Sequence, residues 1–321
     1  MRIFVLGATG DQGQPLVARL LADGHQVTAG ARDAGRIVPA NGLTAVTADI
    51  QQPDTLAAAM QGHDALCLHL PFVHDRDRAA AMGQAVGEAV RAAGVPRVVF
   101  NTSCFVADHD LGLPAHDGRR AIEAALEASG ANFTSIRPMV FMDNLARPWA
   151  RPSIVGSGVF AYPAAPQLRI SWVCIADIAA AMAAAVVRND LGGARIALGG
   201  PEALVGDEVA ERLTVAAGRL LRFVSLDPQT FAEDMAELVT GARIVPPGSV
   251  YHGMARFYGW YNAQPRSPLV VDANPLGLRL TSFAEWAAAQ DWHAAARSDQ
   301  NEREKPISTL RGAPTNTSPE A

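Results

Sequence analysis

A chain of 321 residues, 49% of them hydrophobic, can bury the core of one large α/β unit or of a nucleotide domain with a smaller partner. A net charge of −5 and a pI near 5.9 exclude the basic face of a general polyanion binder, so no nucleic-acid partner is expected. No apolar run is long enough for a membrane span, no leader-type segment follows Met1, and Cys67, Cys104 and Cys174 match neither a disulfide framework nor a metal-ligand spacing, so a cytoplasmic protein without a metal or a membrane is expected.

In chain order, short β-type runs alternate with helical patterns through the first 140 residues. "RIFVL" (2–6) reads as a strand and "QPLVARLLADG" (14–24) as a helix closed by Gly24. Strands over 25–32 and 43–49 follow, then a helix over 53–62 opened by Pro53. A fourth strand (64–70) leads to a helix over roughly 76–93 and a fifth strand (96–103). A helix over 118–130 and a sixth strand, "NFTSIRP" (132–138), complete the series. This alternation predicts right-handed βαβ units, that is, an α/β fold of Rossmann type with a doubly wound parallel sheet. Ligands of such sheets bind beyond the carboxyl ends of the strands.

Beyond residue 140 the rhythm breaks. The Pro/Gly-rich stretch 147–166 reads as loops and short strands, followed by a strand over 168–175 and a helix over 176–187. A strand at 195–200, helices near 206–217 and 228–240, and a strand at 222–226 between them come next. The expected organisation is a dinucleotide-binding domain over 1–150, to which late elements return from about 168–200. A smaller C-terminal substrate lobe covers 151–296, and 297–321 has the composition of a disordered tail.

The first turn carries the chemistry. "GATGDQG" (7–13) lies between a strand and a helix, the setting in which glycines at this spacing cradle a pyrophosphate. Gly7 allows the tight turn, Gly10 admits the phosphates, and Gly13 lets helix and strand pack closely, with Thr9 and Gln12 as further cofactor contacts. The second strand ends at Arg32, where an acidic residue would mark NAD. A guanidinium there pairs with a 2′-phosphate and favours NADP(H) over NAD(H), against the plainer reading of a solvated arginine. Asp49, after the third strand, would flank the adenine. The only lysine is Lys305, which excludes any mechanism needing a lysine in the body of the protein.

"GATGDQG", Arg32, "TADIQQPDTLAAAMQGHDAL" (47–66), "PRVVFNTS" (96–103), "GANFTSIRPMVFMDNL" (130–145) and "WVCIADIAAA" (172–181) together resemble the NmrA-like family of atypical short-chain dehydrogenase/reductases. The resemblance covers about residues 1–290 and implies cofactor contacts from Leu70 and Pro71, from Thr102 and Ser103, and from Pro138 through Phe141 near the nicotinamide. It implies one of two functions. The first is NADPH-dependent reduction of a small carbonyl, quinone or conjugated enone; the second is a redox sensor or regulator that binds NADP(H) without turnover. It leaves room for a homodimer or a regulatory protein partner.

The sequence departs from the Tyr-x-x-x-Lys pattern of this superfamily: His116 stands in the tyrosine slot and Arg120 in the lysine slot. Four residues apart on a helix, the two would share a face. His116, with an ordinary pKa of about 6.5, would donate a proton, Arg120 would hold ribose hydroxyls, and Ser103 would bond the substrate oxygen. The plainer reading makes His116 a residue at a helix entry and has Arg119 and Arg120 solvated or paired with Glu123. His69, His74 and His109 are weaker candidates in the same region, and Phe72, Phe141, Met142 and Trp172 would form an apolar substrate wall unless they simply pack the core.

Overall fold

The computed structural model describes residues 1–292, so the 297–321 tail lies outside the described residues. In chain order the main elements begin β1 (Arg2–Leu6), α1 (Gly13–Ala22), β2 (Gln26–Ala31), β3 (Leu43–Thr47), α2 (Pro53–Met60) and β4 (Ala65–His69). They continue α3 (Arg76–Ala93), β5 (Arg97–Asn101), α4 (Pro114–Glu127), β6 (Asn132–Pro138), α5 (Arg151–Ser157) and β7 (Val159–Tyr162). Then come β8 (Ile170–Ser171), α6 (Ile175–Val186), β9 (Arg195–Leu198), β10 (Ala203–Leu204) and α7 (Gly206–Ala217). The described chain ends with β11 (Arg222–Ser225), α8 (Pro228–Thr240), α9 (Val250–Ala263) and α10 (Phe283–Ala288).

Seven strands pair in parallel in the order β3-β2-β1-β4-β5-β6-β9, the doubly wound Rossmann-type sheet. Central strands such as β1, β4 and β5 are near-continuous apolar runs because both faces are covered. Leu16, Val17 and Leu20 of α1 and Ile178, Met182 and Val186 of α6 seal one face. Leu56, Val86, Val90, Ile122 and Leu126 of α2, α3 and α4 seal the other. Strand order reverses between β1 and β4, so the crevice at their carboxyl ends is where such a sheet takes its ligand. A separate aromatic cluster, including Tyr162, Trp172, Phe231, Tyr258, Tyr261 and Trp286, fills the C-terminal half.

Several boundaries move relative to the sequence. Helix α4 begins at Pro114, not 118, because a proline at the first helical position needs no amide partner and has its φ preset. His116 therefore lies in the first turn. Of 168–175, only Ile170–Ser171 forms a strand, antiparallel to β10, while Val173 bridges Phe141. The 147–166 stretch contains α5 and β7, and β7 pairs in parallel with β11. Helices α9 and α10 had no counterpart in the sequence reading.

Two contacts fix α4 over the sheet. At Gly83 and Gly87 of α3 a Cβ would lie 2.8 Å from the Ile122 Cα and the Ala125 carbonyl oxygen, so glycine sets the closeness of the two helices. Glu123, 1% exposed, accepts from Arg137 Nε at 2.9 Å and Nη2 at 2.7 Å and from the Ser135 hydroxyl. Its ion-pair partners are thus Arg137 of β6 and, at 3.8 Å, Arg195 of β9, and neither Arg119 nor Arg120.

A Cβ on Gly13 would sit 2.2 Å from the Gly7 carbonyl oxygen and 2.8 Å from the Ala8 Cα, both backbone atoms that cannot swing aside. Gly13→Ala should therefore cost about 1–3 kcal/mol, read as a lower urea midpoint with an unchanged slope. An unchanged midpoint would mean that the loop yields.

Candidate functional site

The glycine loop uses only some of its amides internally. Gly7 (φ +85°) and Ala8 donate to the Gly30 carbonyl, Gly10 donates to Gly7, and Gly13 and Gln14 donate to Gly10. The amides of Thr9, Asp11 and Gln12 find no protein acceptor among the described residues. They stand at the N-terminal, electropositive end of the ten-residue helix α1, a donor set that fits a pyrophosphate. Arg32, just past β2, is exposed and has no ion pair among the described residues. The neighbouring Asp33 turns its carboxylate onto the Gly35 amide at 3.0 Å, and Asp49 likewise accepts from the Gln51 amide at 3.0 Å.

The loop after β5 is clipped to the glycine loop through Gln12. Its Oε1 accepts from Asn101 Nδ2 at 2.7 Å, and its Nε2 donates to Ser103 Oγ at 3.1 Å. Ser103 has φ +62°, the only positive φ at a non-glycine among the described residues, and its amide is held by Asn101 Oδ1 at 2.8 Å. Such a backbone costs about 1–2 kcal/mol and persists where the surroundings impose it, commonly at functional sites. Thr102 is fully buried, with its hydroxyl spent on the Cys104 carbonyl at 2.7 Å.

At the end of β4 a cluster of basic groups gathers. The His69 ring rests on the glycine loop, so that a Cβ on Gly7 would meet it at 3.0 Å. Arg119 of α4, 2% exposed, donates from Nη2 to the Leu70 carbonyl at 3.0 Å. Its guanidinium lies over the Phe72 ring, 4.8 Å from the centroid, and Phe72 meets His74 edge-on at 5.2 Å. His74 presses against α9 at Gly253, where a Cβ would lie 1.8 Å from its Nδ1; only glycine fits. His116 is 2% exposed, bonded through Nε2 to the Tyr261 hydroxyl of α9 at 2.6 Å and flanked by Phe257 at 5.3 Å. Burial, reinforced by the Arg119 charge, pushes His69 and His74 down to about 4. Burial, then His74 and Arg119, pushes His116 to about 3. All three imidazoles are therefore neutral at neutral pH.

The other candidates stand outside this basic cluster. Arg120 points away from this cluster: its guanidinium holds Asp110 at 2.5 and 3.0 Å at the rim, half exposed. The buried stripe of α4 runs Ala115, Arg119, Ile122, Leu126, so the register brings Arg119, and not Arg120, to the cleft side with His116. That apolar spacing is the signal in the sequence that identifies Arg119. Met142 and Trp172 are core residues, Phe141 is half-buried on its bridge to Val173, Pro138 ends β6 buried, and Pro71 is exposed. Tyr261 was not anticipated; the Ser249 cap followed by Tyr251, Met254, Tyr258 and Tyr261 at helical spacing is the pattern that marks its helix. Among the described residues no group of three or more His, Cys, Asp or Glu could hold a metal, and no helix is long and apolar enough to cross a membrane.

A doubly wound parallel sheet with a glycine-rich cradle at its first turn defines a Rossmann-type protein built for a dinucleotide. The model of the NmrA-like family matches residues 1–269, and the chain belongs to that family. It is similar to an NAD(P)H azoreductase from Xenophilus azovorans, 32% identical over 302 residues that cover 92% of this chain and 98% of the relative. Among solved structures it resembles an NADPH-dependent quinone oxidoreductase from Escherichia coli in complex with NADPH, with a TM-score of 0.74 and 23% identity over 89% of this chain and 98% of that one. It also resembles NmrA, a negative transcriptional regulator solved with NADP, with a TM-score of 0.64 and 19% identity over 91% of this chain and 98% of that one. At these identities the two structures show a shared fold.

Proposed function

We propose that this protein is an NADPH-dependent oxidoreductase that reduces a small carbonyl, quinone or conjugated enone. The observation that carries this reading is the meeting, at the carboxyl ends of β1, β4 and β5, of a free-amide cradle with neutral hydrogen-bond donors walled by aromatic rings. The similarity to relatives named as NAD(P)H azoreductase and NADPH-dependent quinone oxidoreductase supports it.

In this reading Gly7, Thr9, Gly10, Gln12 and Gly13 hold the pyrophosphate, Arg32 the 2′-phosphate, and Asp49 borders the adenine. Leu70, Pro71, Thr102 and Pro138 line the nicotinamide side. When bound, the cofactor supplies a hydride, which with one proton from solvent converts a quinone to its hydroquinone and leaves NADP⁺. Burial raises the Tyr261 phenol well above its usual 10, so it keeps its proton. In the tautomer we propose, Tyr261 donates that proton to His116 Nε2 and the imidazole proton sits on Nδ1, which has no protein partner among the described residues. His116 thus serves the substrate oxygen as a neutral N–H donor, instead of the imidazolium that its ordinary pKa suggested. Ser103, strained and tethered to Gln12, would serve as a second donor by turning its hydroxyl from Gln12 Oε1, 3.3 Å away, to the substrate, and Phe72 and Phe141 provide apolar wall.

Arg32→Ser is expected to weaken NADPH about tenfold to hundredfold and to leave NADH unchanged, measured by parallel titrations. Equal affinities in the parent protein would refute the NADP(H) preference. Tight NADPH binding without oxidation by any acceptor in a quinone and enone panel would replace the reductase by the sensor.

A further inference from the structure

Among the described residues, seven buried side-chain nitrogen atoms lack a hydrogen-bond partner, and five of them belong to one cluster: His69 Nδ1, both ring nitrogens of His74, His116 Nδ1 and Arg119 Nη1. Leaving such atoms unpaired costs about 1–3 kcal/mol each, so their concentration in one place calls for a partner. The partner is not acidic protein. Arg119's hydrogen bond goes to a carbonyl, its ring neighbour is Phe72, and no carboxylate pairs with it. A cation is excluded by the guanidinium itself. The remaining chemistry is an oxyanion, which a guanidinium edge and imidazole N–H groups bind together.

The surroundings add a shape. Phe72, Phe105, Phe257 and Trp260 ring the cluster, with Phe105 and Trp260 stacked at 6.2 Å and Phe257 beside His116. The wall over Arg119 is the segment 70–75, which like the stretch carrying Phe105 is neither helix nor strand. We infer that Arg119, with His74 and His69, forms a subsite for a carboxylate or sulfonate carried by an aromatic acceptor, next to the oxygen that His116 addresses. This rests on the reductase reading for its turnover and stands apart from it for its binding.

The test compares 1,2-naphthoquinone-4-sulfonate with 1,2-naphthoquinone as acceptors, and 2-naphthalenesulfonate with the neutral 2-naphthalenesulfonamide as ligands of the NADP⁺-loaded protein in calorimetry. The sulfonates should be favoured about tenfold or more in kcat/KM and in affinity. Arg119→Met keeps the stem but removes the charge and the bond to the Leu70 carbonyl, so the readout is the sulfonate-to-neutral ratio within the variant, which should fall to about one for both acceptors and ligands. Arg119→Lys, which keeps the charge without the planar fork, should retain part of the preference and guards against a folding defect in the first variant. Parent protein that binds sulfonate no tighter than sulfonamide overturns the subsite, as does an Arg119→Met protein that keeps the preference. Arg119-dependent sulfonate binding without quinone turnover keeps the subsite and removes the reductase.

Discussion

Lowering the pH from 7 to 5 should destabilise the protein by several kcal/mol. His69, His74 and His116 are held neutral by burial, with folded pKa values of about 4, 4 and 3. In the unfolded chain each titrates near 6.5. Between pH 6.5 and about 4 the unfolded state therefore binds protons that the folded state does not, and stability falls as pH falls. Above pH 6.5 both states are neutral and the effect is absent. The loss is about 2 kcal/mol per histidine at pH 5, roughly 6 kcal/mol for the three. Urea midpoints measured from pH 8 to 5 check this, and His74→Asn should remove about a third of the slope. A midpoint independent of pH would show that the three rings are solvated.

The second large effect concerns turnover. His116→Phe keeps the ring among Phe105, Phe257 and Tyr261 but deletes the Nδ1–H. Loss of one positioned donor to a developing oxyanion lowers kcat about 10²–10³-fold, with NADPH affinity unchanged. Because the parent imidazole is neutral down to about pH 3, kcat should stay level wherever the chain remains folded, with no inflection near 6.5. Tyr261→Phe removes the group that holds the proton on Nδ1, so its kcat should fall less and a pH dependence should emerge as the ring is freed. Full kcat in His116→Phe would remove His116 from the reaction.

The cofactor half of this molecule was readable from sequence because its signals are local. A strand, a glycine loop and a helix sit within the first 22 residues, and strand–helix alternation carries the sheet through β6. The part around His116 and Arg119 depends on distant contacts. "PAHDG" reads as loop because it contains Pro114 and Gly118, yet Pro114 starts the helix and Gly118 packs on α3, where a Cβ would meet the Ala79 Cβ at 2.7 Å. Starting α4 four residues early turned the choice between Arg119 and Arg120 into a question of register. Helix α9 hides in a sequence whose stripe is aromatic and interrupted by Gly253 and Gly259. The neutrality of His116 was invisible, since it arises first from burial beneath the distant helix α9 and then from His74 and Arg119.

The contact of Gly253 with His74 has a consequence for how this chain can diverge. The cradle for the dinucleotide is built from residues before 140, whereas the roof over Arg119 and His116 is built from α9, after residue 250. The joins between the two include a glycine against an imidazole, one phenol–imidazole bond, the stacking of Phe105 on Trp260, and Arg256 donating to the Gly112 carbonyl at 2.6 Å. Under the proposed reading, substitutions along one face of a single 14-residue helix would retune which acceptor is admitted while the electron donor's seat stays as it is. Diversity of substrates on a constant cofactor is what such a division of labour produces.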